Sequence, residues 1–223
     1  MAVPVKTRRY NSSRRRAQAE ATRQAILVAA QRLFEQNGYG ATSMPDIAKE
    51  AGVALKTIYL YVDSKPGLVR ALWEARLAGD EAAVLVLERG WFREVSDEPD
   101  PERKLRLVAA QGRRVKTKSG SLLEMIRTAA SSDPEIAKLW EAIEAKLLMV
   151  QQSIVEQLHA SRSLAPSLDI ATATDILWTL NHPAQWQLLV RGRGWTGEQY
   201  EHWLGDLFCS QLLNPTAENG CTE

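Results

Sequence analysis

Residues 42–65 read TSMPDIAKEAGVALKTIYLYVDSK, and this stretch decides the fold. Ser43 followed three residues later by Asp46 forms a capping box, Pro45 is tolerated in the first turn, and Ala51-Gly52 closes the helix after about two turns. A third helix is expected from Val53 to Val62, broken at Asp63-Ser64. Two short helices joined by a tight turn bury little apolar surface, yet their geometry pushes one helix forward into a major groove of duplex DNA. Ile47 and Ala48 face inward, Ala51 is small enough for close approach, Gly52 permits the turn, and Val53, Ile58 and Val62 anchor the third helix. Ala54, Leu55, Lys56, Thr57, Tyr59 and Tyr61 are left pointing outward, and among them a cation, a hydroxyl and two phenols suit phosphates and base edges.

Upstream, Ile26, Ala29, Ala30, Leu33 and Phe34 make one apolar helical stripe that Asn37-Gly38 terminates. Downstream, Asp63 or Ser64 caps a fourth helix running from Lys65 towards Gly79. Residues 1–19 carry many arginines and almost nothing to bury, so they are expected to form a flexible basic arm. Seven cations stand against one carboxylate in residues 1–23, a net +6, which leaves −5 on the other 200 residues of a chain whose formal total is only +1. A basic end on a mildly acidic body suggests a polyanionic partner for that end alone.

Over residues 22–72 the chain resembles the TetR (tetracycline-repressor) family of bacterial transcriptional regulators. Gly38-Tyr39, Thr42-Ser43, Ile47-Ala48, Ala51-Gly52-Val53, Tyr59 and Ser64-Lys65 occur in order and at the family's spacing. The resemblance implies a homodimer on a double-stranded, roughly palindromic operator, with an inducer pocket and dimer contacts in the C-terminal part. It implies phosphate contacts from Thr42 and Ser43, base reading by Lys56 and Thr57 beside Leu55, backbone contacts from Tyr59 and Tyr61, and a phosphate contact from Lys65. The sequence departs from the family at Pro45, Ala54 and Val62, where the family often has polar or aromatic residues, so Pro45 and Ala54 are limited to apolar base contacts. Arg14, Arg15 and Arg16 suit an adjacent minor groove or the phosphates beside it.

The remainder reads as all-α, giving an N-terminal three-helix bundle joined by the fourth helix to a larger helical domain. The expected divisions are the arm 1–19, a DNA-binding domain 20–79 with its helix-turn-helix at 43–62, a ligand-binding and dimerisation domain 80–215, and a tail 216–223. Separate helices are expected around Leu105 to Val115 and Leu122 to Ala130. A long one runs from Pro134 to about Ser161, another over 169–191 is interrupted by Pro183, and a last follows Gly197. All seven tryptophans lie beyond residue 72, which makes this part rich in flat apolar surface. Met125, Trp140, Met149 and Trp178 are the candidate walls of a small-molecule effector pocket. Arg127 is a candidate partner for an anionic ligand, although a salt bridge to a neighbouring Glu explains it more plainly. Dimerisation is expected through Trp186, Leu189, Tyr200, Trp203, Leu207 and Phe208.

His182 beside Pro183 reads first as a structural residue, and neither it nor Cys209 and Cys221 has the spacing of a metal site or a disulfide framework. No cofactor is expected. No run approaches the ~18 apolar residues of a membrane span, and no apolar segment of a secretory signal follows the basic start, so a cytoplasmic place is expected. A rival reading, a helical small-molecule-binding protein or enzyme using its N-terminal helices for protein contacts, lacks a Gly-rich phosphate loop, a nucleophile motif or a metal signature.

Overall fold

The computed structural model describes residues 12–78 and 86–214, and these are helical apart from turns and a lone antiparallel bridge between Leu164 and Leu213. Lys6, Arg8, Arg9, Cys221 and the expected tail 216–223 lie outside the described residues. The chain divides after Leu72 into two compact units. That boundary falls inside a helix rather than at the expected 79, because Leu68, Val69 and Leu72 on its first half are buried and belong to the first unit.

The first unit holds α1 (Ser12–Ala41), α2 (Met44–Glu50), α3 (Leu55–Ile58) and the start of α4 (Lys65–Ala78). The flexible-arm expectation is corrected over 12–19, which form the first turns of α1. Arginine, alanine, glutamine and glutamate are strong helix formers, so a helix nucleated by the Ile26 stripe extends through them without needing to bury anything. Gly38 breaks α1 with φ 77, a left-handed value that suits glycine. Ile26, Ala30, Phe34, Ile47, Ala48 and Ile58 form the unit's core.

The third helix is shorter than its expected span. The Val53 amide donates to the Ala48 carbonyl at 3.0 Å and Ala54 is extended, so helix starts only at Leu55. At its far end the Tyr61 and Val62 amides both donate to Ile58, which closes a turn rather than continuing the helix.

The second unit contains α5 (Gly90–Asp97), α6 (Pro101–Ala129), α7 (Pro134–Ala160), α8 (Ile170–Asn181), α9 (Pro183–Trp186), a π-helical stretch at Gln187–Gly192, and α10 (Gly197–Leu212). Asp100, Asp133, Asp169 and Thr196 cap α6, α7, α8 and α10 by accepting hydrogen bonds from first-turn amides. Two helices expected around 105–130 are one continuous α6. Gly120 within it is a close-packing position, since a Cβ there would lie 3.2 Å from Trp186 Nε1. α5, which buries Phe92 and Val95, has no counterpart in the sequence reading. α10 runs along α6, tied by Arg106 to Asp206 at 2.8 Å and by an Arg113–Glu201 ion pair, over a core that includes Leu105, Ile154, Leu177, Leu204 and Leu212. No helix among the described residues is long and apolar enough to cross a membrane.

Candidate nucleic-acid interface and buried polar core

Ser43 is the N-cap of α2, and its hydroxyl and backbone exchange hydrogen bonds with Asp46 in both directions of the capping box. Pro45 and Lys49 of α2 are exposed. Met44, Ile47 and Ala48 are buried, which fixes the roll of the helix. Gly52, at φ 66, takes the tight turn. Ile58, fully buried, orients α3 so that Ala54, Leu55, Lys56 and Tyr59 are exposed and Thr57 is half-buried.

Two residues sit differently from expectation. Thr42 is 2% exposed and donates its hydroxyl to Gly38 at 2.8 Å and to Leu33 at 3.2 Å. The phosphate contact expected of it is therefore corrected: Thr42 ties the end of α1 to the start of α2. Tyr61 spends its phenolic proton on the Ala19 carbonyl of α1 at 3.1 Å, which braces the turn after α3 against the first helix and leaves its exposed ring, rather than its hydroxyl proton, for the expected backbone contact. Leu60, 81% exposed, was not singled out in the sequence. The chain has left α3 by Tyr59, so helical periodicity does not reach Leu60. Lys65 lies over the half-buried Tyr39 ring, 4.1 Å from its centre, so its ammonium is held at the start of α4. Arg14, Arg15 and Arg16 are exposed on the first turns of α1.

Replacing Thr42 by Val is expected to cost about 1–2 kcal/mol of stability, because the hydroxyl bond is gone, and to leave the salt dependence of DNA binding unchanged. Calorimetry and salt-titrated binding check it. A flatter salt slope at native stability would return Thr42 to the phosphates.

The family model described as "Bacterial regulatory proteins, tetR family" matches residues 26–72, the segment that builds this helix-turn-helix. Residues 26–72 thus match the DNA-binding domain of the TetR family. It is 27% identical over 161 residues to the HTH-type transcriptional regulator EthR of Mycolicibacterium smegmatis, a match covering 69% of each protein. Among solved structures it resembles NalD, the secondary repressor of the MexAB-OprM multidrug efflux pump in Pseudomonas aeruginosa. That match has a TM-score of 0.70 and 21% identity, covering 88% of this chain and 99% of that one. FadR from Bacillus subtilis in complex with stearoyl-CoA aligns with a TM-score of 0.67 at 20% identity, covering 84% of this chain and 97% of that one. The segment that builds the helix-turn-helix is thus of the kind carried by bacterial regulatory proteins, and the whole chain shares the fold of solved regulators.

In the second unit the expected pocket walls are only partly brought together. Trp140 and Trp178 both meet His182, with ring centres 6.1 and 5.2 Å away. Met125 is half-buried on α6. Met149 is 43% exposed on α7, which corrects its expected place as a wall: it lies on the solvent side of the helix. Arg127 is exposed and pairs with Glu124 at 2.7 Å one turn away, so the plainer reading of it holds and the expected ligand contact is corrected. The pairing also holds the Glu124 carboxyl below its ordinary range.

His182 caps α9 by accepting the Ala184 amide at Nδ1, and its Nε2 faces Glu144 at 3.6 Å. Burial pushes its pKa down, so the ring is neutral near pH 7 with its remaining proton on Nε2. Burial also raises the thiol of half-buried Cys209, which does not favour a reactive thiolate.

The expected dimer residues divide into two sets. Trp186, Tyr200 and Phe208 are buried in the unit's own core, which corrects their expected role at a subunit seam. Leu189, Trp203 and Leu207 are half-buried, and Leu188, which the sequence reading passed over, is 63% exposed. An open groove of about 570 Å³ beside them is bounded by Trp195, Gln199, His202, Trp203 and Asp206.

The sequence reading also missed Lys116. It sits in the basic run "RRVKTK" and reads as a solvated charge, yet it is fully buried, and burial pushes its pKa down to about 7. Continuing the Leu105–Val108–Ala109 stripe along α6 by helical steps reaches Gly112, Lys116, Ser119 and Gly120, which was the available signal.

Proposed function

We propose that the protein is a repressor that binds a palindromic operator as a homodimer and is released by a small, largely aromatic or apolar ligand. The observation that carries this reading is the register of the helix-turn-helix. With Ile58 buried, Lys56, Tyr59 and Leu60 stand exposed together on a capped scaffold, and these outward groups suit DNA. Lys56 and Thr57 read base edges, Leu55 and Leu60 offer apolar contact to thymine methyls, and Ser43, Tyr59 and Lys65 hold phosphates. Arg14, Arg15 and Arg16 add phosphate contacts from the start of α1 rather than from a loose arm. Dimer contacts fall to the outward flank formed by Leu188, Trp195, Trp203 and Leu207. NalD, similar in fold, is described as a repressor, and FadR was crystallised with an acyl-CoA, which supports assigning an effector to residues 80–215 of this chain. The ligand favours a dimer whose recognition helices no longer match successive grooves. A ligand that bound both states equally would release nothing.

The experiment is a gel shift on the DNA flanking the gene, repeated across a salt series, with dimer mass measured in parallel. One dimer on an inverted repeat supports the reading, and indifference to all DNA overturns it. Replacing Arg14, Arg15 and Arg16 with Gln is expected to weaken operator binding and to flatten the plot of log K against log salt by about 0.9 for each phosphate these arginines neutralise. An unchanged slope removes them from the interface.

A further inference from the structure

Two lysines of α6 are buried, and their surroundings differ. Lys104 donates to the Ser96 carbonyl at 3.1 Å and to Gln157 Oε1 at 2.8 Å, with Glu98 and Asp97 near enough to offset its charge. Lys116 is 4% exposed and donates to Asn181 Oδ1 at 2.6 Å, with the Tyr200 ring centre 5.4 Å away. Among the described residues no carboxylate pairs with it. Gly112 makes the space, since a Cβ there would come within 2.7 Å of Asn181 Oδ1 and 3.2 Å of Lys116 Nζ. Removing a charge from water without a counter-charge is costly, so an anion bound beside Lys116 would be strongly favoured.

Among the described residues of this unit, three further buried polar atoms have no hydrogen-bond partner: the Tyr200 hydroxyl, Trp178 Nε1 and Gln151 Oε1. They stand on the helices that surround Lys116. Tyr200 of α10 presents its ring to the ammonium, and Trp178 is one turn before Asn181 on α8. Gln151 is two turns along α7 from Glu144, the carboxylate that faces His182. An ammonium, a phenolic O–H and an indole N–H all donate, while Gln151 Oε1 accepts. Lys116 Nζ, without a counter-charge, and the unpartnered hydroxyl of Tyr200, whose ring it faces, are two donors that suit an anion.

We propose that α6, α7, α8 and α10 enclose a site for an organic carboxylate, its head group held by Lys116 Nζ and the Tyr200 hydroxyl and its apolar body set against Trp178 and Trp140. The inference deepens the effector reading above and rests on it. The carboxylate supplies the missing counter-charge, and the Trp140–His182–Trp178 cluster supplies flat apolar surface on the Asn181 side of the ammonium.

The test is isothermal titration of the full-length protein with benzoate, 2-naphthoate and octanoate, each against its methyl ester. At least one acid is expected to saturate and to bind at least about tenfold tighter than its ester, the ratio appropriate to a charge-assisted hydrogen bond. Lys116→Met is expected to erase that ratio. Should the variant fail to fold, wild-type protein labelled with ¹³C at lysine Cε gives an independent reading: the acid, and not the ester, must shift one lysine resonance that is shielded from solvent. Failure of every acid to saturate, equal binding of acid and ester, or an acid preference that survives Lys116→Met each overturns the proposal. An acid that binds but leaves the operator complex intact supports the site while defeating the effector reading. Wild-type protein that ignores DNA without any ligand defeats the regulator reading separately.

Discussion

Lys116→Met is expected to stabilise the protein near neutral pH, with a gain that shrinks as pH rises and is gone by about the ordinary lysine pKa. Lys116 has its pKa lowered from 10.5 to about 7 by burial, so between those values the unfolded chain holds a proton that the folded protein has released. Stability of the wild type therefore climbs with pH across that window. Below about 7 both states carry the proton and the whole cost of the buried ammonium is present, while above 10.5 both are neutral and the cost is absent. Each pH unit inside the window is worth about 1.4 kcal/mol, which accumulates to the order of 5 kcal/mol.

Methionine has no such dependence but leaves Asn181 Oδ1 without its donor, at about 1–3 kcal/mol at every pH. The net expectation is a variant more stable than wild type by about 2–4 kcal/mol at pH 6 and less stable by about 1–3 kcal/mol at high pH. Urea unfolding followed by tryptophan emission reads this directly, since all seven tryptophans lie beyond Leu72. Titrations common to both proteins cancel in the difference. A difference that stays flat with pH would mean that Lys116 is hydrated rather than buried against Asn181.

This buried charge also marks where the sequence ceased to be informative. The helix-turn-helix was legible because its signals are local: the Ser43–Asp46 box, Gly52 and the Gly38 stop each act within a few residues, and each recurs in the structure. Thr42 was misread because its partners, Leu33 and Gly38, lie on the preceding helix and only the fold brings their carbonyls to it. The expected break in α6 was misread for a related reason. Weak helical propensity around Ser119-Gly120 is overridden by Trp186, whose indole packs against the space the glycine leaves. On α10 a single apolar stripe splits in two, with Tyr200, Leu204 and Phe208 facing the unit's own core and Trp203 and Leu207 on its flank. Periodicity identifies such a face but does not say which neighbour covers it.

Lys56→Ala is the second substitution with a large expected effect, this time on DNA binding. Lys56 is exposed on the middle of α3, while buried Ile58 fixes the helix's roll, so removing its ammonium takes away a DNA partner without disturbing the fold. One base or phosphate interaction is worth about 1–3 kcal/mol, and a dimer forgoes it twice, so the operator affinity falls by about 30-fold to about 25,000-fold. The manner of the fall identifies what Lys56 touches. If it reads a guanine edge, binding to the operator drops far more than binding to unrelated duplex, and discrimination narrows at one position in each half-site. If it holds a phosphate, both fall together and the salt slope flattens by about 0.9 per phosphate. Leu60→Ala is the companion measurement, because an apolar side chain can discriminate a thymine methyl but cannot alter the salt slope. Anisotropy titrations of both variants at two salt concentrations separate these cases. Wild-type affinity in both variants would mean that α3 does not enter the groove, and the exposed surface of Lys56, Tyr59 and Leu60 would then need a partner other than DNA.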